Sequence, residues 1–178
     1  MRSQQGTLLG LSFVAGLFWV FVVQKWMFLN VFSGVLAGPG LPLNDYLQLA
    51  NEPAFTMLWI SCISALMIWL WITFRARPRN GAEVRRMKPL WWTAAVILVL
   101  LGWLYQLFFS IIIWQLQGQS PVQGSGMNFF LLPPGGWLLL TMMVMINVTL
   151  LFWLPTLLAS PRTYRLVVPG AVKILGGR

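Results

Sequence analysis

The chain has 178 residues, of which 58% are hydrophobic and 8% charged, against roughly a quarter charged in an average soluble domain. Four long apolar runs carry the excess, which excludes a water-soluble fold of this size and predicts an all-α integral membrane protein with four transmembrane helices. The net charge of +9 is concentrated at the ends of those runs, which points to orientation and contact with anionic headgroups and away from nucleic acid.

The first span is predicted over residues 7–32. Arg2 ahead of an apolar stretch, with Val35, Leu36 and Ala37 after it, resembles a signal peptide and its cleavage site. The stretch is far longer than the roughly 7–15 residues of a signal core, so a retained span is expected. Lys25 falls past the middle of the span, where its stem can follow the helix and its ammonium reach the headgroups. Ser12 and Gly16 form a small-xxx-small pair that lets another helix approach closely, whether of this chain or a second one.

Residues 33–52 form a first outer loop, broken by Gly38, Pro39, Gly40 and Pro42, with Asn44 and Asp45 placed to cap a short interfacial turn. Asn51 can cap the second span, predicted over 53–74, with Glu52 at the positive end of the helix dipole and Pro53 in the first turn.

The next segment, 75–89, carries Arg75, Arg77, Arg79, Arg85, Arg86 and Lys88 around a single acid, Glu83, and is broken by Pro78 and Gly81. Such density beside two spans predicts a cytoplasmic loop, and alternation then puts both termini on the cytoplasmic side. A third span is predicted over 90–114, opened by Pro89 and the pair Trp91 and Trp92.

The second outer loop, 115–136, carries no charge. Within it the apolar run 127–132, ahead of Pro133, Pro134, Gly135 and Gly136, is too short to span and is expected to lie at the interface or to dip in as a reentrant-like segment. The fourth span is predicted over 137–158 and is followed by Pro161, Arg162, Tyr164 and Arg165. The remaining tail, 159–178, alternates basic and apolar residues and is expected to lie on the inner leaflet or dock into a partner. The two hairpins share an architecture without a repeated motif.

Chemistry-bearing residues are scarce. There is no histidine, a single cysteine (Cys62) and three acids, which leaves almost no general acid, base or nucleophile, and neither a cofactor nor a metal site is expected. Met142, Met143 and Met145 are soft enough for copper, but adjacent positions point to different helix faces. Asn147 falls near the centre of its span, where an unpaired amide is costly, and Gln106 is a candidate partner by depth. Eleven tryptophans are spread over the spans. Most serve as interfacial anchors, while Trp19, Trp59, Trp69 and Trp103 lie deeper and could face another subunit or a flat hydrophobic molecule.

The expected function is therefore a non-catalytic membrane subunit, a scaffold, assembly or accessory component of a larger bacterial inner-membrane complex. It would pack laterally through Trp-rich helices, and Arg75, Arg77, Arg79, Arg85, Arg86, Lys88, Arg162 and Arg165 would dock headgroups or partners. The alternatives are a small homo-oligomeric transporter or channel, with Asn147 and Gln106 along a path, and a module that binds lipid or quinone.

Overall fold

The computed structural model describes residues 2–31, 52–75, 80–118 and 134–175, with side chains over 6–27, 29–31, 56–75, 80–108 and 138–175. Arg77 and Arg79, most of both outer loops and the apolar run at 127–132 lie outside the described residues. What is described is all-helical, without strands. Four helices are long and apolar enough to cross a membrane, with apolar stretches Gly6–Met27, Thr56–Arg75, Gly81–Phe108 and Leu138–Ala159, which is the architecture of a multi-pass integral membrane protein.

The first span joins α1 (Arg2–Phe18) through a π-helical stretch, Trp19–Gln24, to α2 (Lys25–Asn30). The second is α3 (Glu52–Arg75) and the third α4 (Gly81–Gly118). The fourth joins α5 (Pro134–Val148) through a second π-helical stretch, Thr149–Trp153, to α6 (Leu154–Ala159). A 3-10 turn, Arg162–Tyr164, and the short α7 (Ala171–Leu175) follow.

The second π stretch has a local cause. Pro155 lacks the N–H that would reach the Leu151 carbonyl, and its ring crowds that carbonyl, so the preceding turn widens. The widened turn presents Leu151 and Phe152 to the interior.

The third helix begins earlier than its hydropathy suggests. Residues 81–89, expected as loop, form its first turns, with the amides of Glu83 and Val84 donating to the Asn80 carbonyl at 3.1 and 3.4 Å and Glu83 at the positive end of the dipole. Pro89 therefore stands inside the helix. It is tolerated because buried side chains on both sides, Val84 and Trp91, hold the helix against the bundle.

The fourth span is the hub: 44% of its apolar stretch is buried, against 17–28% for the other three. Contacts run in opposite directions along it. Gly16 meets Leu151 while Trp19 meets Asn147, so the first span is antiparallel to it. Trp91 meets Thr156 while Gly102 meets Val144, so the third is antiparallel too. In lipid, apolar burial between helices gains little over contact with acyl chains, so close packing and interhelical hydrogen bonds hold such a bundle together. Gly102 illustrates the first of these: a Cβ there would lie 2.8 Å from Leu58 Cδ1 and 3.0 Å from Val144 Cγ1.

The described part of the tail turns back onto its own bundle, while Leu166 and Ile174 stay exposed. Ser160 is extended (ψ 123°) and Gly170 takes a left-handed φ of 79°, and these two bends return the chain to the helices. Tyr164, Val167, Val168 and Ala171 are all buried. Tyr164 meets the Trp69 ring edge-on with centroids 6.3 Å apart, and the Trp153 indole donates to the Pro169 carbonyl at 2.9 Å.

Candidate functional site

The buried polar groups lie mainly along the seams of the fourth span. Asn147 is fully buried, and its Oδ1 accepts from the Trp19 indole at 2.8 Å. Gln106, the candidate by depth, stands elsewhere: with Gly102 beside Val144, Gln106 is level with about residue 140, roughly 10 Å along the axis from Asn147. Gln106 is half-buried and has a contact of its own.

Two further indoles repeat the pattern on the other seam. Trp91 donates to the Thr156 hydroxyl at 3.1 Å and Trp103 to the Thr141 hydroxyl at 2.9 Å. Each such bond replaces a donor left dry in hydrocarbon by a link between helices.

Gln24 is a residue that sequence reasoning passed over. It is fully buried at the end of the first π stretch, and neither amide atom has a hydrogen-bond partner among the described residues. The available signal was a lone amide within an apolar run. Asn147 Nδ2 is also without a partner among them.

Trp19→Phe removes the donor to Asn147 and is expected to lower stability by about 1 kcal/mol. Gln24→Leu removes a dry amide and is expected to be neutral or stabilising. Thermal unfolding in detergent checks both, and a destabilised Gln24→Leu would mean that the amide is satisfied.

Ser12 and Gly16 both face inward. A Cβ on Gly16 would run into Leu151 Cδ2, and Ser12, whose hydroxyl donates to the Leu8 carbonyl at 2.8 Å, lines a small gap with Leu151 and Pro155. The helix approached by this pair is thus the chain's own fourth span. The deep tryptophans are likewise engaged within the chain: Trp69 is buried, Trp19 and Trp103 bond to the fourth span, and Trp59 packs on Phe13 with centroids 4.8 Å apart. Among the described residues, Trp26, Trp71 and Trp92 are the exposed indoles. Among the three methionines, Met143 is buried while Met142 and Met145 are exposed, so they form no common site.

The described basic residues of the central segment and tail gather at one end of the bundle, because the contact of Trp69 with Tyr164 and that of Trp91 with Thr156 bring the segment's two flanks beside the start of the tail. Arg75, Arg85, Arg86, Lys88 and Arg162 are exposed there. Arg75 lies over the Trp71 ring, 5.3 Å from its centroid. Arg165 turns inward: its guanidinium donates to the Leu175 carbonyl at 3.1 Å, which caps α7 and leaves less of it for headgroups or partners.

Beside this basic end, a groove of about 550 Å³ opens between the third and fourth spans. Trp91, Trp92, Trp153 and Pro169 form its end, and Ala95, Val96, Val99, Leu100, Met145 and Val148 continue it towards mid-span. Trp91 is held by stacking on Phe152, with centroids 5.4 Å apart and planes 25° apart. Thr149 adds a hydroxyl to the lining, and that hydroxyl already donates to the Met145 carbonyl at 2.8 Å. The groove thus suits an apolar occupant.

Comparison with protein-family models, with curated proteins and with solved structures finds no match for this chain.

Proposed function

We propose that the protein is a non-catalytic membrane subunit, an accessory or assembly component of a larger complex in a bacterial inner membrane, with its basic end facing the cytoplasm. The observation that supports this reading is the division of polar groups. Inside the bundle the Trp19, Trp91 and Trp103 indoles bond to Asn147, Thr156 and Thr141 of the fourth span, whereas Arg75, Arg85, Arg86, Lys88 and Arg162 stand exposed at one end. What the described residues offer to other molecules is an apolar flank and that basic end. The density of basic residues around the central segment favours the cytoplasmic side for it.

The full enclosure of Asn147 beside Trp19 offers no support for a polar path through it. The subunit reading is tested by extracting the protein in native lipid nanoparticles and sizing it. Recovery in a complex with other membrane proteins is expected, and Arg85→Glu with Arg86→Glu should lower the recovered partner. A chain that is always monomeric and alone would sink the reading.

A further inference from the structure

We infer that the groove between the third and fourth spans is a site for one acyl chain of an anionic phospholipid, whose phosphate is held by Lys88 and Arg85. Three observations converge on that occupant. The groove is apolar and runs from Trp91 to Leu100, about 14 Å along the helix, which is close to half of the roughly 30 Å hydrocarbon core and so to the depth of one leaflet. Its aromatic end lies at the basic end of the bundle, and its other end lies near mid-span.

The third observation is helical register. Trp92, Val96 and Val99 share one stripe of α4, and the same spacing of three and four residues carries that stripe back through Lys88 to Arg85. Both cations are exposed. Lys88 stands about 6 Å along the axis beyond Trp92, one turn outside the groove, where the headgroup of a lipid threaded into it would lie. Glu83, the acid of this segment, is five residues before Lys88 and falls on a different face. A zwitterionic lipid offers the same chains without net charge, so these cations select an anionic one.

The site is independent of the subunit reading, because it is tested on the purified chain with no partner present. Full-length protein is equilibrated in detergent with equal amounts of dioleoyl phosphatidylglycerol and dioleoyl phosphatidylcholine, and the retained lipid is counted by native mass spectrometry. Phosphatidylglycerol should be retained preferentially. Arg85→Gln and Lys88→Gln, both exposed and outside the core, should each reduce the preference roughly fivefold while leaving phosphatidylcholine unchanged. Val96→Trp, at a position 53% exposed and therefore able to take a larger ring, should fill the groove and lower retention of phosphatidylglycerol. Equal retention of the two lipids by the unaltered chain would overturn the site, as would a preference that survives both charge substitutions or a retention indifferent to Val96→Trp.

Discussion

Replacing Tyr164 by alanine is expected to destabilise the protein by about 3 to 5 kcal/mol, the range for removing a large aromatic side chain from a packed core. Tyr164 is 2% exposed although it lies beyond the last span, and it meets Trp69 of the second span edge-on. Its removal frees the turn that brings Val167, Val168 and Ala171 against the helices. The loss should be visible in denaturant titration of the detergent-solubilised protein and in faster proteolysis of the tail. Tyr164→Phe keeps the ring and should retain most of the stability. An unaffected Tyr164→Ala variant would mean that the tail is not docked.

The second large effect is expected where helices approach over glycine. Gly102→Val places a branched side chain where even a Cβ lies 2.8 Å from Leu58 and 3.0 Å from Val144, so two helices must yield together, at a cost of about 3 kcal/mol. Gly16→Val drives the first span away from Leu151 and should cost about 2 kcal/mol. The alanine variants should lose less, because they add only a Cβ and the Leu58 and Leu151 Cδ atoms it meets are the far ends of flexible side chains. Gly10 supplies the control. It stands on the same span as Gly16 with open space around its Cβ position, so Gly10→Val should leave the midpoint unchanged. A Gly10 variant as damaging as the Gly16 variant would show that the effect is on the helix itself and not on its packing.

Several features of this arrangement could be read directly from residue order. The four apolar lengths, the gathering of arginines around 75–88 and the small-residue pair at Ser12 and Gly16 are local properties of the chain. The partner of Asn147 is not local. Its amide announces a need for a partner in hydrocarbon, but Trp19 is 128 residues away in sequence, and depth by itself suggested Gln106. The orientation of the deep tryptophans is not local either. An indole buried in a seam and one exposed to lipid look alike in composition, and only the helices' rotations separate buried Trp69 from exposed Trp71.

Residue order by itself determined that the chain is helical, that it has four segments able to cross a membrane, and where its cations cluster, because length, hydropathy and charge are sums over neighbouring residues. Tertiary structure decided which face of each helix looks inward, where the third helix starts, and that the tail returns to the bundle. The physical reason is that these spans are apolar on all sides, as lipid-facing helices are, so no hydrophobic stripe marks the buried face. Gly102 beside Val144, Trp19 beside Asn147 and Tyr164 beside Trp69 mark it instead, through contacts that exist only once the helices have met.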